Sequence, residues 1–190
     1  VWHCQSFATI AVTKGGDDPF NLSFTEETGR AMEADDYLID HSGFDWEKLL
    51  SSWEWLLEDD IEVAPWLMNR FGDVFFTDEL GIVNWLNITD GELTEVAASE
   101  AEFMELLQNS EHAEDWFQIA LVDEMSEAGE RLAAEKCYGF KTLPILGGDF
   151  GTTNIKVWSI VDYWNFCGRI HVQLDGLPDG TEVDIDIPEL

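Results

Sequence analysis

Trp66-Leu67-Met68-Asn69-Arg70, Val74-Phe75-Phe76-Thr77, Gly81-Ile82-Val83-Asn84-Trp85-Leu86-Asn87-Ile88 and Leu93-Thr94-Glu95-Val96-Ala97-Ala98 are four short runs rich in aromatic and β-branched residues. Phe71-Gly72-Asp73, Asp78-Glu79 and Thr89-Asp90-Gly91 separate them. Apolar runs of this length, divided by Gly- and Asp-containing breaks, predict hairpins and therefore an antiparallel β-meander.

Upstream of the meander, Trp46, Leu49, Leu50, Trp53, Leu56 and Leu57 recur at helical spacing, and Asp45 is placed to cap the first turn. Downstream, Ser99 with Glu102 forms a capping box ahead of a helix through Phe103, Leu106 and Leu107. A longer helix is predicted over 114–134, with Trp116, Phe117, Ala120, Leu121, Met125, Ala128 and Leu132 on one face. A Gly- and Pro-containing crossover over 137–151 leads to a strand over 155–159. Tyr163, Trp164, Cys167, Ile170, His171 and Leu174 then keep a helical period, although Gly168 within it costs about 1 kcal/mol relative to Ala. Leu177-Pro178-Asp179-Gly180-Thr181 reads as a turn feeding a last strand over 182–187. Strands and helices segregated into runs predict a single α+β domain, a twisted antiparallel sheet packed against several helices.

Composition narrows the function. The 190 residues carry 40 Asp and Glu against 9 Lys and Arg, a net charge of −31, with 45% apolar residues and 9 Trp. That apolar share excludes a disordered acidic tail. The scarcity of cations argues against direct binding to nucleic acid or to an anionic membrane, and a cationic protein is the natural partner. Cys4, Cys137 and Cys167 are odd in number and widely spaced, which predicts reduced thiols and a cytoplasmic location.

Residues 1–31 differ in texture: Lys14-Gly15-Gly16-Asp17-Asp18-Pro19 is a breaker cluster, and 23–30 lack an apolar period. They are expected to be a poorly ordered N-terminal extension, with Met32 a natural opening for the domain over 35–190. Without them 36 acids and 7 bases remain, so the acidity belongs to the domain.

No motif points to catalysis, a metal or a cofactor. Gly147-Gly148-Asp149-Phe150-Gly151-Thr152-Thr153-Asn154 looks like the phosphate-binding hairpin of the actin, hexokinase and heat-shock ATPase superfamily. Only 36 residues follow it, too few for the rest of such a domain, so a tight loop rich in glycine is the better reading. His3, His41, His112 and His171 show no ligand spacing with Cys, and 175–180 lacks the alternating acids of a calcium loop. Cys167 and His171, four apart on an apolar helix face, read as core residues rather than as a nucleophile and its base.

Charge patterning says more. From Phe71 to Glu130 there are 16 acids and no Lys or Arg. Glu58, Asp59, Asp60 and Glu62 follow the first helix, and Glu182, Asp184 and Asp186 alternate with apolar residues. In a strand, those last three carboxylates would stand about 6.6 Å apart on one face, a ladder resembling a phosphate chain. These seven acids are the expected partner-binding residues. Generic solvation, including adaptation to a salty cytoplasm, gives the same arithmetic.

The chain also resembles a family, the C-terminal domain of type VI secretion immunity proteins. Its resemblance runs through Asp36-Tyr37-Leu38-Ile39-Asp40, Trp66-Leu67-Met68-Asn69-Arg70-Phe71-Gly72-Asp73, Gly81-Ile82-Val83, Asp115-Trp116-Phe117, Cys137-Tyr138-Gly139-Phe140-Lys141 and Pro144-Ile145-Leu146-Gly147-Gly148. It continues at Asn154, from Gly168 to His171 with Gln173, and through Leu177-Pro178-Asp179-Gly180-Thr181. The resemblance implies a cytoplasmic bacterial protein that binds and neutralises a secreted toxin, a DNase in the best-known members. It implies no catalytic residues and no cofactor. Longer members carry a GAD-like region upstream, where this chain has only the dissimilar 1–31. Arg70 and Lys141, rare cations, are expected in internal ion pairs. The rival readings are an acidic protein- or ligand-binding module with no toxin partner, and an enzyme.

Overall fold

Four strands form the meander: β3 (Ala64–Met68), β4 (Val74–Thr77), β5 (Val83–Asn87) and β6 (Glu92–Ala97) follow one another in the sheet in chain order, each antiparallel to the last. The computed structural model describes residues 23–25, 31–33, 36–57, 63–178, 181, 182, 184 and 185. Ahead of the meander, β1 (Ser23–Thr25) pairs antiparallel with β2 (Ala31–Glu33), and the remainder of the expected extension lies outside the described residues. Pro65, which has no N–H to offer a neighbouring strand, sits on edge strand β3 beside a register shift.

Val74 pairs with Met68 on one side and with Leu86 on the other, which makes β4 central. Its Val74, Phe75 and Phe76 are all fully buried. Successive strand residues point to opposite faces, so burial of all three means that both faces of the sheet are covered. On one face the Phe75 ring meets Phe103, Trp116 and Phe117, with centroids 5.1, 5.9 and 5.7 Å away. These rings come from α2 (Glu100–Leu106) and α3 (Ser110–Phe117). Phe103 stacks on Trp116 at 4.6 Å, and such ring pairs contribute about 0.5–1.5 kcal/mol beyond their buried area.

A second sheet pairs β7 (Lys136–Phe140) with β8 (Ile155–Ser159). It joins the meander through Tyr138 N, which donates to Arg70 O at 2.8 Å. Helix α5 (Ile160–Leu174) packs on this pair, with Phe166 stacked on Trp158. Trp164 reaches the meander, its Nε1 donating to Gly72 O at 3.0 Å. Helix α1 (Trp46–Leu50) sets Trp46 edge-on to Trp164, and Trp53 beyond it does the same. The expected α+β domain is thus formed, with five helices among the described residues.

Three helical details matter. Asp45 caps α1 through Lys48 N as expected, but the helix is only five residues long. Ser51 and Ser52 turn their hydroxyls onto Lys48 O and Leu49 O, competing for the helix carbonyls, and the chain continues as tight turns that keep Trp53 inward. Ser99 caps α2 as expected, its Oγ accepting from Glu102 N, while the Glu102 carboxylate takes Ala98 N, one residue ahead of the amide that a capping box uses. The single helix expected over 114–134 is instead two, α3 and α4 (Ile119–Glu127), broken where Gln118 takes a left-handed conformation at φ 50°. The Glu114 carboxylate reaches across the break to accept from Ala120 N.

Candidate partner-binding surface

The cysteines and the α5 histidine occupy the core. Cys137 and Cys167 are free and fully buried, and burial raises both thiols above their ordinary range, where little thiolate forms. His171 is buried with Nε2 3.1 Å from Thr89 O, so this nitrogen carries the proton and donates. Burial lowers its pKa and keeps the ring neutral. Asp73, equally buried, accepts from Asn69 Nδ2 at 2.8 Å and from Ile88 N at 3.0 Å. His171 thus ties the Thr89 turn to α5, Asp73 joins the turns at Asn69 and Ile88 within the meander, and both residues are buried. His41 lies 3.2 Å from Trp66 O, and His112 stacks on Trp116. Among the described residues, no group of three or more His, Cys, Asp or Glu could hold a metal. No described helix is long and apolar enough to cross a membrane.

The loop that looks like a phosphate hairpin closes on itself. Asn154 Nδ2 donates to Thr142 O and Asp149 O, its Oδ1 accepts from Thr142 N, and Asp149 Oδ1 accepts from Gly151 N. A β-carbon at Gly148 would stand 1.9 Å from Thr142 O, so only glycine fits there. Asn154 and the Asp149 carboxylate are thus committed to the loop's own frame, in keeping with the tight-loop reading. Lys141 Nζ donates to Thr153 O at 2.7 Å, a main-chain carbonyl in place of the expected carboxylate. Arg70 Nε donates to Asp36 O at 3.0 Å.

The outward faces of the three helices on the meander carry many acids. Helices α2, α3 and α4 bury Phe103, Ala113, Trp116, Phe117, Val122 and Met125. Their periodicity leaves Glu100, Glu102, Glu105, Glu111, Asp115, Glu124 and Glu127 exposed. Glu114 is exposed as a residue, yet its carboxyl is tucked against the helix break, and burial raises its pKa.

Of the seven acids expected to bind a partner, Glu182 and Asp184 are exposed, while Ile185 packs against the core. Residues 181, 182, 184 and 185 are not in a strand, so no described carboxylate ladder accompanies them. Glu58, Asp59, Asp60, Glu62 and Asp186 lie outside the described residues.

Two features were not singled out from sequence. A cleft of about 590 Å³ opens between Leu38, Trp66 and Arg70 on one side and Leu132, Ala134 and Lys136 on the other. Ile145 and Phe150 stand exposed on the self-closed loop. The sequence does show that 131–156 contains Arg131, Lys136, Lys141 and Lys156 against Glu135 and Asp149, the reverse of the chain's balance, but this does not point to the exposed pair.

No curated protein matches the chain. A family model described as T6SS immunity protein Tdi1, C-terminal, matches residues 97–171, from the last residue of β6 through the acid-faced helices and the self-closed loop to His171 in α5. Over that span the chain matches the family of type VI secretion immunity proteins that its sequence resembles.

Proposed function

We propose that this chain is a non-enzymatic immunity protein that binds and neutralises a secreted type VI toxin in the bacterial cytoplasm. The observation that carries this reading is the family match over residues 97–171, the segment holding the acid-faced helices. The toxin is a nuclease with a basic surface. An enzyme that grips nucleic acid needs Lys and Arg for phosphate, and an acidic protein competes for that surface. Long-range attraction speeds the encounter, and a central apolar contact supplies most of the affinity. The absence of catalysis is supported by the burial of Cys137, Cys167 and His171, whose hydrogen bonds and packing serve the core.

The contact acids we propose are Glu58, Asp59, Asp60 and Glu62, with Glu182, Asp184 and Asp186. Reversing the charge of each set separately, and measuring affinity for purified type VI nuclease effectors from 50 to 500 mM salt, tests the assignment. Either reversal should weaken binding and flatten the salt dependence. Unchanged affinity and salt slope for both sets would place the interface elsewhere.

A further inference from the structure

The two edges of the meander differ. At β3 the chain covers its own edge: Leu38 bridges to Asn69, Ile39 N donates to Met68 O at 2.9 Å, and His41 Nε2 lies 3.2 Å from Trp66 O. Pro65, further along the same strand, has no N–H to offer. At β6 nothing comparable is found. Among the described residues this strand pairs with β5 alone, and no other backbone hydrogen bond reaches Glu92–Ala97. An antiparallel strand directs its N–H and C=O groups to both sides, so the row facing away from β5 is left to water.

Register sets how much of that row a further strand can use. Glu92, Leu93, Thr94 and Glu95 face Asn87, Leu86, Trp85 and Asn84 in unbroken order. The register shifts beyond them, where Ala97 faces Val83 and Val96 is the extra residue. A regular ladder is therefore offered over 92–95, which contains neither proline nor glycine. Glu92, Thr94 and Glu95 are exposed.

Charge decides what joins this edge. From Phe71 to Glu130 there are 16 acids and no Lys or Arg, and β6 leads into α2, whose Glu100, Glu102 and Glu105 are exposed. A second copy laid along β6 would bring the same two strand glutamates, and like charges facing across a ladder repel. A strand carrying Lys or Arg is attracted instead, and its main chain completes the row of hydrogen bonds.

We infer that β6 is a site of strand addition, where an extended segment of the toxin bearing Lys or Arg pairs with 92–95. This rests on the immunity reading and deepens it: main-chain hydrogen bonds hold the toxin in register, while Glu92 and Glu95 select a basic strand over an acidic one.

Hydrogen–deuterium exchange of the full chain, alone and saturated with purified, catalytically inactivated type VI nuclease effectors, tests the inference. Amides within 92–95 that face away from β5 should exchange fast in the free chain and at least about tenfold more slowly in the complex. Glu92→Lys with Glu95→Lys should weaken binding about tenfold, and its thermal midpoint should hold because both side chains are exposed. Should the double variant lose its folding transition, exchange in the unaltered chain carries the test. Unchanged exchange over 92–95 in a saturated complex overturns strand addition and leaves the immunity reading intact. Slowed exchange with wild-type affinity in the double variant overturns the basic strand as the occupant. Failure of the unaltered chain to bind any of the effectors overturns both readings. Protection of these amides that rises with the concentration of the chain alone would assign the edge to a second copy and likewise overturn the inference.

Discussion

Asn69 and Asp73 lock together with both side chain and backbone: Asn69 Nδ2 donates to Asp73 Oδ2 at 2.8 Å, Asp73 N donates to Asn69 Oδ1 at 3.0 Å, and Asn69 N donates to Asp73 O at 3.0 Å. Both residues are fully buried. The same asparagine also takes Phe71 N and donates to Trp116 O, so one amide closes the β3–β4 turn and ties it to α3.

Asn69→Ala should therefore be severe. It strands the Phe71 and Asp73 amides, the Trp116 carbonyl and one oxygen of a buried carboxylate. The expected loss is about 3–5 kcal/mol, read as the shift in a urea unfolding midpoint. A loss below about 1 kcal/mol would mean that water replaces the amide.

Asp73 also predicts a pH dependence. Burial raises its pKa from 3.8 to about 7, against the pull of its hydrogen bonds from Asn69 and Ile88. Between those two values the folded state holds a proton that the unfolded chain has released, so this group's contribution to stability falls as pH rises from about 4 to 7. His171, whose pKa burial lowers, works the other way: its contribution is lost as pH falls below its ordinary value. Comparing wild type with Asp73→Asn cancels the His171 effect. From pH 5 to pH 8 the wild type should lose roughly 1–3 kcal/mol more than the variant. Parallel profiles would show that Asp73 is not titrating in this range.

Gly168→Ala sets two magnitudes against each other. Within α5, alanine is favoured over glycine by about 1 kcal/mol. Here a β-carbon would stand 2.5 Å from Ser52 O, a backbone atom that moves only if the chain after α1 moves with it. The contact should win, with a net loss of about 1–3 kcal/mol in chemical denaturation. A stabilised variant would show that the α1 region sits loosely on α5.

Gly91→Ala combines two penalties. The residue has φ +73°, and a β-carbon would lie 2.4 Å from the His171 ring. Destabilisation of at least about 2 kcal/mol is expected, together with an upfield or downfield displacement of the His171 ring resonances in NMR spectra. Unmoved resonances would contradict the packing of this turn against α5.

The meander was legible because its strands are short, aromatic and divided by Gly and Asp, and the cap at Ser99 was legible because capping is local. The break at Gln118 was not: apolar spacing runs smoothly across it, and the non-glycine left-handed residue is held by the Glu114 carboxylate on Ala120 N, a contact that spacing does not encode. The shortness of α1 has a similar origin, since Ser51 and Ser52 divert its carbonyls while the helical period continues in turns. At the surface, net charge drew the reading toward acids. The reversed balance over 131–156 was countable in the sequence, but the exposure of Ile145 and Phe150 depends on how Asn154 folds the loop.

The central claim is that this chain neutralises a nuclease by binding it. The direct measurement is the effector's cleavage of plasmid DNA as purified chain is added. Activity should fall linearly and vanish near one chain per effector. Full cleavage at a tenfold molar excess of the chain would contradict the account.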